Sequence, residues 1–317
     1  MTKFDISKNP PNSSISVIIL TFNSAATLGQ TLRAALQVSD DLHLVDSGSS
    51  DNGLVIAEQI IAAANHARAE SEAKIRLTIT HHPFENYGAQ RNWAMENLAL
   101  RHEWVLNLDA DEHLSPPLIR AINDSQSPGF PPDINGYFLP RLVRFLGRDL
   151  THGGLYPTWH MRLFRRQFGR CEARLYDQHF LVEGRAERIH HPMIDDVRLS
   201  LSEWTARHNR WSDAEAAELL LASNQGTAIP LSGRVTAKWR GGNPIERKRA
   251  LRGWYQATPL FLRAFLLFLY RYVVRLGFLD GREGLIYLVL QCFWFRFLVD
   301  AKLFEQKQKD KSGSAPS

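Results

Sequence analysis

The chain has 317 residues, of which 44% are hydrophobic and 10% aromatic, and a formal net charge of +5. That composition excludes a disordered chain and supplies side chains for one large or two modest cores. The two cysteines, Cys171 and Cys292, show neither metal-ligand spacing nor a disulfide framework, which fits a reducing compartment.

Residues 1–14 are polar and read as an N-terminal tail, so no secretory signal is expected. Residues 16–20 form a short apolar run that predicts a buried strand. The spacing of Leu28, Leu32 and Leu36 predicts a helix over residues 25–36. A second strand is predicted at 42–45, a helix at 52–64, a strand at 75–79, a helix at 88–98 and a fourth strand at 103–108. Strands alternating with helices predict an α/β fold with a mainly parallel sheet. Three of these strands end in polar clusters: Thr21 to Asn23, Asp46 to Asp51, and Asp109 to Asp111. The C-terminal ends of parallel strands are where such sheets bind ligands.

From residue 135 the pattern changes to shorter strands at 136–143, 161–164 and 180–182, then an amphipathic helix at 201–223. A basic stretch follows at 238–249, then two apolar segments at 259–279 and 284–304. Residues 306–317 are charged and small, and read as a disordered tail. Lys238, Arg240, Arg247, Lys248, Arg249, Arg252, Arg263, Arg271 and Arg275 are interleaved with aromatic and aliphatic residues. That mixture points to an anionic membrane surface rather than to nucleic acid. Each arginine at mid-bilayer depth would cost roughly 2.5–3.5 kcal/mol, which disfavours spanning helices. Helices lying in the interface, with arginines reaching phosphates, are expected; the alternative is a soluble hairpin covering the sheet.

Asp109 and Asp111 carry the sharpest chemical signal. Two carboxylates at one strand end repel each other unless a cation lies between them. Mg²⁺ or Mn²⁺ takes oxygen ligands and keeps positions open for phosphate. Two solvated aspartates are the alternative, because D-x-D alone also arises by chance. Asp46 can accept from a nucleobase or ribose, while Ser50 or Asp51 caps the next helix. Thr21 and Asn23 offer short polar groups to a nucleotide. Arg91 can meet a nucleobase carbonyl or phosphate, or be a solvated helical arginine. The pairs His81-His82 and His190-His191 lack the partners zinc requires.

Together, residues 17–23 (VIILTFN), 45–51 (VDSGSSD), 88–92 (GAQRN) and 106–112 (LNLDADE) resemble the inverting family 2 glycosyltransferases with the GT-A fold. Residues 148–157, 159–164, 242–249 and 277–281 look like the branch that builds lipopolysaccharide core and exopolysaccharide. The resemblance implies a glycosyltransferase domain over 15–225, with a nucleotide-sugar part at 15–134 and an acceptor part at 135–225. Residues 226–305 would form a membrane-associating region. It also implies roles for single residues. Asp46 would contact the base, with Thr21, Asn23 and Arg91 around the nucleotide. Asp109 would hold the ribose beside the metal, and Asp111 would bind the Mg²⁺ or Mn²⁺ that bridges the diphosphate.

Inversion needs a base opposite the leaving group. Relatives of this branch carry His-Glu before an apolar strand; here Gln178 stands in place of the glutamate. Asp177 is therefore the first choice, with Glu183 and Glu172 as fallbacks, and His179 reads as structural. Trp159 and Tyr156 would stack on an acceptor sugar or, alternatively, pack in the core. Arg162, Arg165 and Arg166 offer themselves to a phosphate, and Arg210 and Trp211 partly match a Q-x-x-R-W element. The expected activity is sugar transfer from a UDP-sugar to a lipid-linked glycan at the cytoplasmic face of a bacterial inner membrane. Two alternatives are a membrane-bound scaffold that has lost turnover and a nucleotidyltransferase. The latter lacks its Gly-rich basic loop after the first strand.

Overall fold

The computed structural model describes residues 13–69, 73–127, 129–172, 174, 177–224, 238 and 242–313. Most of the expected N-terminal tail, the start of the expected membrane-associating region at 226–237, and residues 314–317 lie outside these. The chain divides into two compact units. One comprises Met1–Arg144, Pro157–Cys171 and His179–Arg198; the other comprises Phe145–Tyr156, Glu172–Gln178 and Leu199–Ser317.

In the first unit, strand β1 (Ile15–Thr21) is buried at every position. A strand buried on both faces is mostly apolar, as this one is apart from Ser16, whose hydroxyl donates to Asp41, and Thr21. It pairs in parallel with β2 (Asp41–Asp46) and β4 (Trp104–Asp109), and β2 pairs with β3 (Arg76–His81). The order β3-β2-β1-β4 is built by crossover helices α1 (Leu28–Ala35), α2 (Gly53–His66) and α3 (Tyr87–Asn97). After the short strand β5 (Glu112–Leu114), Ser115 caps α4 (Pro116–Gln126) by accepting from Leu118 N. One apolar layer joins Val17, Ile19, Leu44 and Leu106 of the sheet to Leu28, Leu32, Ile60 and Ile119 of the helices.

The sheet then changes direction. The strands that follow are β6 (Ile134–Phe145), β7 (Arg148–Leu150), β8 (Thr158–Arg165), β9 (Gly169–Cys171), β10 (Phe180–Val182), β11 (Arg185–Arg188) and β12 (Met193–Val197). β8 runs antiparallel between β4 and β6, and β12 pairs antiparallel with β5. β9 and β10 form a separate hairpin. Gly169 is required there, because a Cβ would lie 2.2 Å from the Phe164 ring.

The second unit holds α5 (Leu201–Asn224), α6 (Pro244–Ala257), α7 (Leu262–Leu269), α8 (Gly281–Leu288) and α9 (Phe295–Gly313). Trp204 is buried and stacks on His208 with ring centroids 3.4 Å apart, and Phe145 and Tyr287 pack edge-on around it. Burial pushes the His208 imidazole down to about 4.

Three expectations need correction. Helix α5 belongs to the second unit, where it packs along α9, and not to a domain ending at residue 225. The apolar segment 259–279 is not one helix. It passes from α7 into a π turn at Tyr270–Val274, breaks at Leu276 with φ 58°, and turns again at Gly277–Asp280. The expected disordered tail is helical through Gly313, with Lys309 and Glu305 paired one turn apart. Residues Gly277–Lys309 form one helical run long and apolar enough to cross a membrane, by length and composition only.

Candidate functional site

The parallel register brings the three polar clusters to one edge of the first unit. Thr21 lies opposite Asp46, Leu20 opposite Asp109, and Asp46 opposite His81. Asp46 is wrapped by donors: Gly48 N at 3.0 Å, Ser49 N at 3.1 Å, Ser49 Oγ at 2.5 Å and His81 Nδ1 at 3.0 Å. Gly48 has φ 90°, which glycine adopts without steric penalty. Burial disfavours the Asp46 charge, but these hydrogen bonds outweigh it and hold the carboxyl below its ordinary value. Asn23, at φ 47°, ties two loops together. Its N–H donates to Ser49 Oγ at 2.9 Å, and its Oδ1 accepts from Ser50 N at 2.8 Å. Asp51, rather than Ser50, accepts from the start of α2, at 2.9 Å from Gly53 N. Thr21 is buried, and its carbonyl accepts from Ser47 N at 3.0 Å.

Asp109 is held differently. Arg91 Nη2 donates to its two oxygens at 2.8 and 2.9 Å, and Arg162 Nη2 donates to Oδ2 at 3.0 Å. Arg162 also reaches Glu112 Oε1 at 2.6 Å, and Glu112 Oε2 accepts from Asp109 N at 3.0 Å. Both arginines are buried, and Arg91 is packed between the rings of Tyr87 and Phe180, each 5.5 Å away. Burial opposes the Asp109 charge, but the two guanidinium groups dominate and hold its carboxyl far below the usual range. Glu112 moves the other way. Burial raises it, and the charges of Asp109 and Asp195 add to that.

Arg91 and Arg162 thus point at Asp109 and Glu112, and each oxygen of Asp109 accepts from a guanidinium group. Among the described residues no three His, Cys, Asp or Glu side chains converge as a metal cage. A diphosphate-bound Mg²⁺ needs only one or two protein carboxylates, however. Asp111, partly exposed in the turn after β4, fits that requirement by its chemistry and position.

The other predicted residues are scattered. Trp159 is half-buried on β8, beneath the Arg188 guanidinium at 5.1 Å and edge-on to His190. Arg165 lies over Trp104 and pairs with Glu103 at 2.5 Å, while Arg166 is exposed. Arg210 is exposed on α5, and Trp211 packs against His208 and Arg207 of the same helix. Tyr156 is half-buried, and burial raises its hydroxyl.

Asp177 does lie in an irregular segment, at φ 55°. But Lys248, Arg249 and Arg252 contact its carboxylate at 3.3, 3.1 and 3.1 Å. Glu172 is fully buried and pairs with Arg249 at 2.8 Å. Both carboxylates, in the second unit, are committed to cations, which removes Asp177 from first place as base. Glu183 is exposed in the first unit, and among the described residues no cation pairs with its carboxylate.

Residues 16–127 match the family described as Glycosyl transferase family 2. Over these residues, about a third of the chain, the sequence is similar to that family. The parallel β3-β2-β1-β4 half, followed by antiparallel strands, agrees with the fold class expected from the sequence, a mainly parallel sheet flanked by helices. An uncharacterized glycosyltransferase of Rickettsia felis is 34% identical over 104 residues, 33% of this chain and 31% of that protein. One of Rickettsia bellii is 31% identical over 104 residues, 33% of this chain and 30% of that protein. The chain thus matches about a third of the length of these curated relatives. Among solved structures, S. aureus TarS 1-349 in complex with UDP-GlcNAc is 12% identical, covers 93% of this chain and 92% of its own, and has a TM-score of 0.45. The glucosyl-3-phosphoglycerate synthase of Mycobacterium tuberculosis with Mn²⁺, UDP and phosphoglyceric acid is 15% identical, covers 50% and 57%, and has a TM-score of 0.33. Likenesses this distant bear on neither substrate nor mechanism.

Within residues 16–127, the sequence reading gave no role to Glu112 or Phe22. Glu112 directly follows the D-x-D pair, and its burial is what makes it a partner for Arg162. Phe22 is 58% exposed between Thr21 and Asn23. A large aromatic left in water at the ligand edge was a signal available from the motif itself.

Proposed function

We propose that this chain transfers a sugar, with inversion, from a nucleotide-sugar donor to a lipid-linked glycan. The donor is a UDP-sugar, and the acceptor is a lipopolysaccharide-core or exopolysaccharide intermediate. The site of action is the cytoplasmic face of a bacterial inner membrane, with the protein attached peripherally or monotopically. The observation that carries the catalytic reading is the convergence of Asp46, Asp109 and Asp111 at one edge of the family 2 sheet.

Asp46 is fixed as an anion and would accept from the donor base, with Phe22 as a stacking face. Asp109, charged and quarter-exposed, would accept from ribose hydroxyls while its arginines keep it oriented. Asp111 would hold Mg²⁺ or Mn²⁺, which when bound neutralises charge on the departing diphosphate. Glu183 is the carboxylate best suited to take the acceptor proton.

Thermal unfolding with UDP, with and without Mn²⁺, tests this reading. A ligand that binds only the native state raises the melting point, by about 2.7 kcal/mol of stability at 100 times Kd. A Mn²⁺-dependent rise with UDP supports it. A folded protein indifferent to millimolar nucleoside diphosphates, with and without metal, overturns it.

A further inference from the structure

The second unit sorts its cations into two classes. Arg249, Arg252, Arg263 and Arg296 are spent internally, on Glu172, Asp177, Glu215 and Asp300. Arg263 and Asp300 are both buried. These arginines therefore do not reach a bilayer, contrary to the reading of the basic stretch. Arg275 and Arg282 are different. Both are exposed, and among the described residues no carboxylate pairs with either.

Their surroundings are apolar and open to solvent. Val273, Val274, Leu276, Phe278 and Leu279 are 46–67% exposed. Leu276 is held outward at φ 58°, a conformation costly for a leucine. A loop of the same unit is fastened against this turn. Asp280 is buried and accepts from His152 N at 2.8 Å, His152 Nδ1 at 2.7 Å and Thr151 Oγ1 at 3.3 Å. Gly153 N donates to the Arg275 carbonyl at 2.9 Å. The Arg275 guanidinium lies over Gly154, where it would sit 3.6–3.7 Å from an added Cβ. Arg148, at the start of β7 just before that loop, reaches the Leu279 carbonyl at 3.3 Å.

We infer that this turn is the membrane-docking face, with Arg275 and Arg282 receiving phosphate groups of anionic lipids while the flanking apolar side chains enter the acyl boundary. Unpaired guanidinium groups amid exposed apolar residues suit a surface where phosphate lies directly above hydrocarbon. This deepens the lipid-linked reading above and rests on it only for the acceptor; docking itself is measured without donor or turnover.

The test is co-sedimentation of the full chain with large vesicles of phosphatidylcholine alone or mixed with phosphatidylglycerol. Wild type is expected to bind the anionic vesicles, less so at high salt. Arg275→Gln should lower partitioning about fivefold, and Arg275→Gln with Arg282→Gln about 25-fold. Val274→Asp should abolish binding, and all three positions are exposed, so melting should be unchanged. Equal binding to neutral and anionic vesicles overturns the inference. So does wild-type partitioning of the double variant, or a stable dimer that ignores vesicles. UDP-dependent stabilisation, measured on the same samples, shows separately whether the donor site is intact.

Discussion

Asp109→Asn is the most informative single change, because it keeps the shape of the side chain and removes only the charge. Arg91 and Arg162 would then face one carboxylate, Glu112, in place of two. Their side chains are 8% and 5% exposed, so water does little to compensate. Removing one partner of a buried pair costs about 3–5 kcal/mol. Asp109 itself is 27% exposed, which lowers the figure to about 2–3 kcal/mol. At about 2–4 °C per kcal/mol, the melting point should fall by about 5–10 °C. Calorimetry at neutral pH reads this directly. The double variant with Arg162→Met should cost clearly less than the sum of the two single changes, because the residues act as one network. An unchanged melting point with unchanged UDP affinity would refute the clamp and return Asp109 to the role of a solvated carboxylate.

Asp111→Asn should leave the melting point within about 1 °C of wild type. It should also weaken Mn²⁺-dependent UDP binding at least tenfold in titration calorimetry; unchanged metal-dependent affinity removes Asp111 from the site. Glu183→Gln should lower turnover by about 10²–10⁴ with donor affinity kept, while Asp177→Asn should act mainly on stability. Kinetics in the reverse order would restore Asp177 as base. The pH dependence of the second unit should carry the signature of His208. Its folded value, about 4, lies below its ordinary 6.5, so burial of the neutral ring favours folding above 6.5. That contribution is lost as pH falls from 6.5 toward 4, and His208→Gln should flatten melting across this window. A wild-type melting point constant from pH 7 to 4 contradicts it.

The parallel half of the sheet was legible because burial on both faces forces an unbroken apolar run. The placing of Asp46 and Asp109 at one sheet edge was legible because each ends such a strand, with Asp111 two residues on. The partners of Asp109 were not, since Arg91 and Arg162 are 18 and 53 residues away, and no local periodicity connects them. Helix α5 was found, but its allegiance depends on packing against α9, almost a hundred residues later. The break at Leu276 escaped notice because a positive φ is unexpected for leucine, although Gly277 beside it marked a possible end of the helix.

Charge pairing explains why the basic stretch misled. Composition counts cations, but whether a cation is available depends on carboxylates distant in sequence. Arg249 meets Glu172 and Asp177 from 77 and 72 residues away. Arg252 and Arg296 share Glu215, and Arg263 is closed off by Asp300. Each pair takes its members out of contention for any outside ligand. The same accounting at the donor edge sets Arg91 and Arg162 against Asp109 and Glu112, two charges against two. A diphosphate would therefore find no spare arginine in that network, and its neutralisation must come from elsewhere. That is the strongest physical reason to expect a divalent cation at Asp111, and it ties the proposed metal to the arginine clamp rather than to the D-x-D spacing alone.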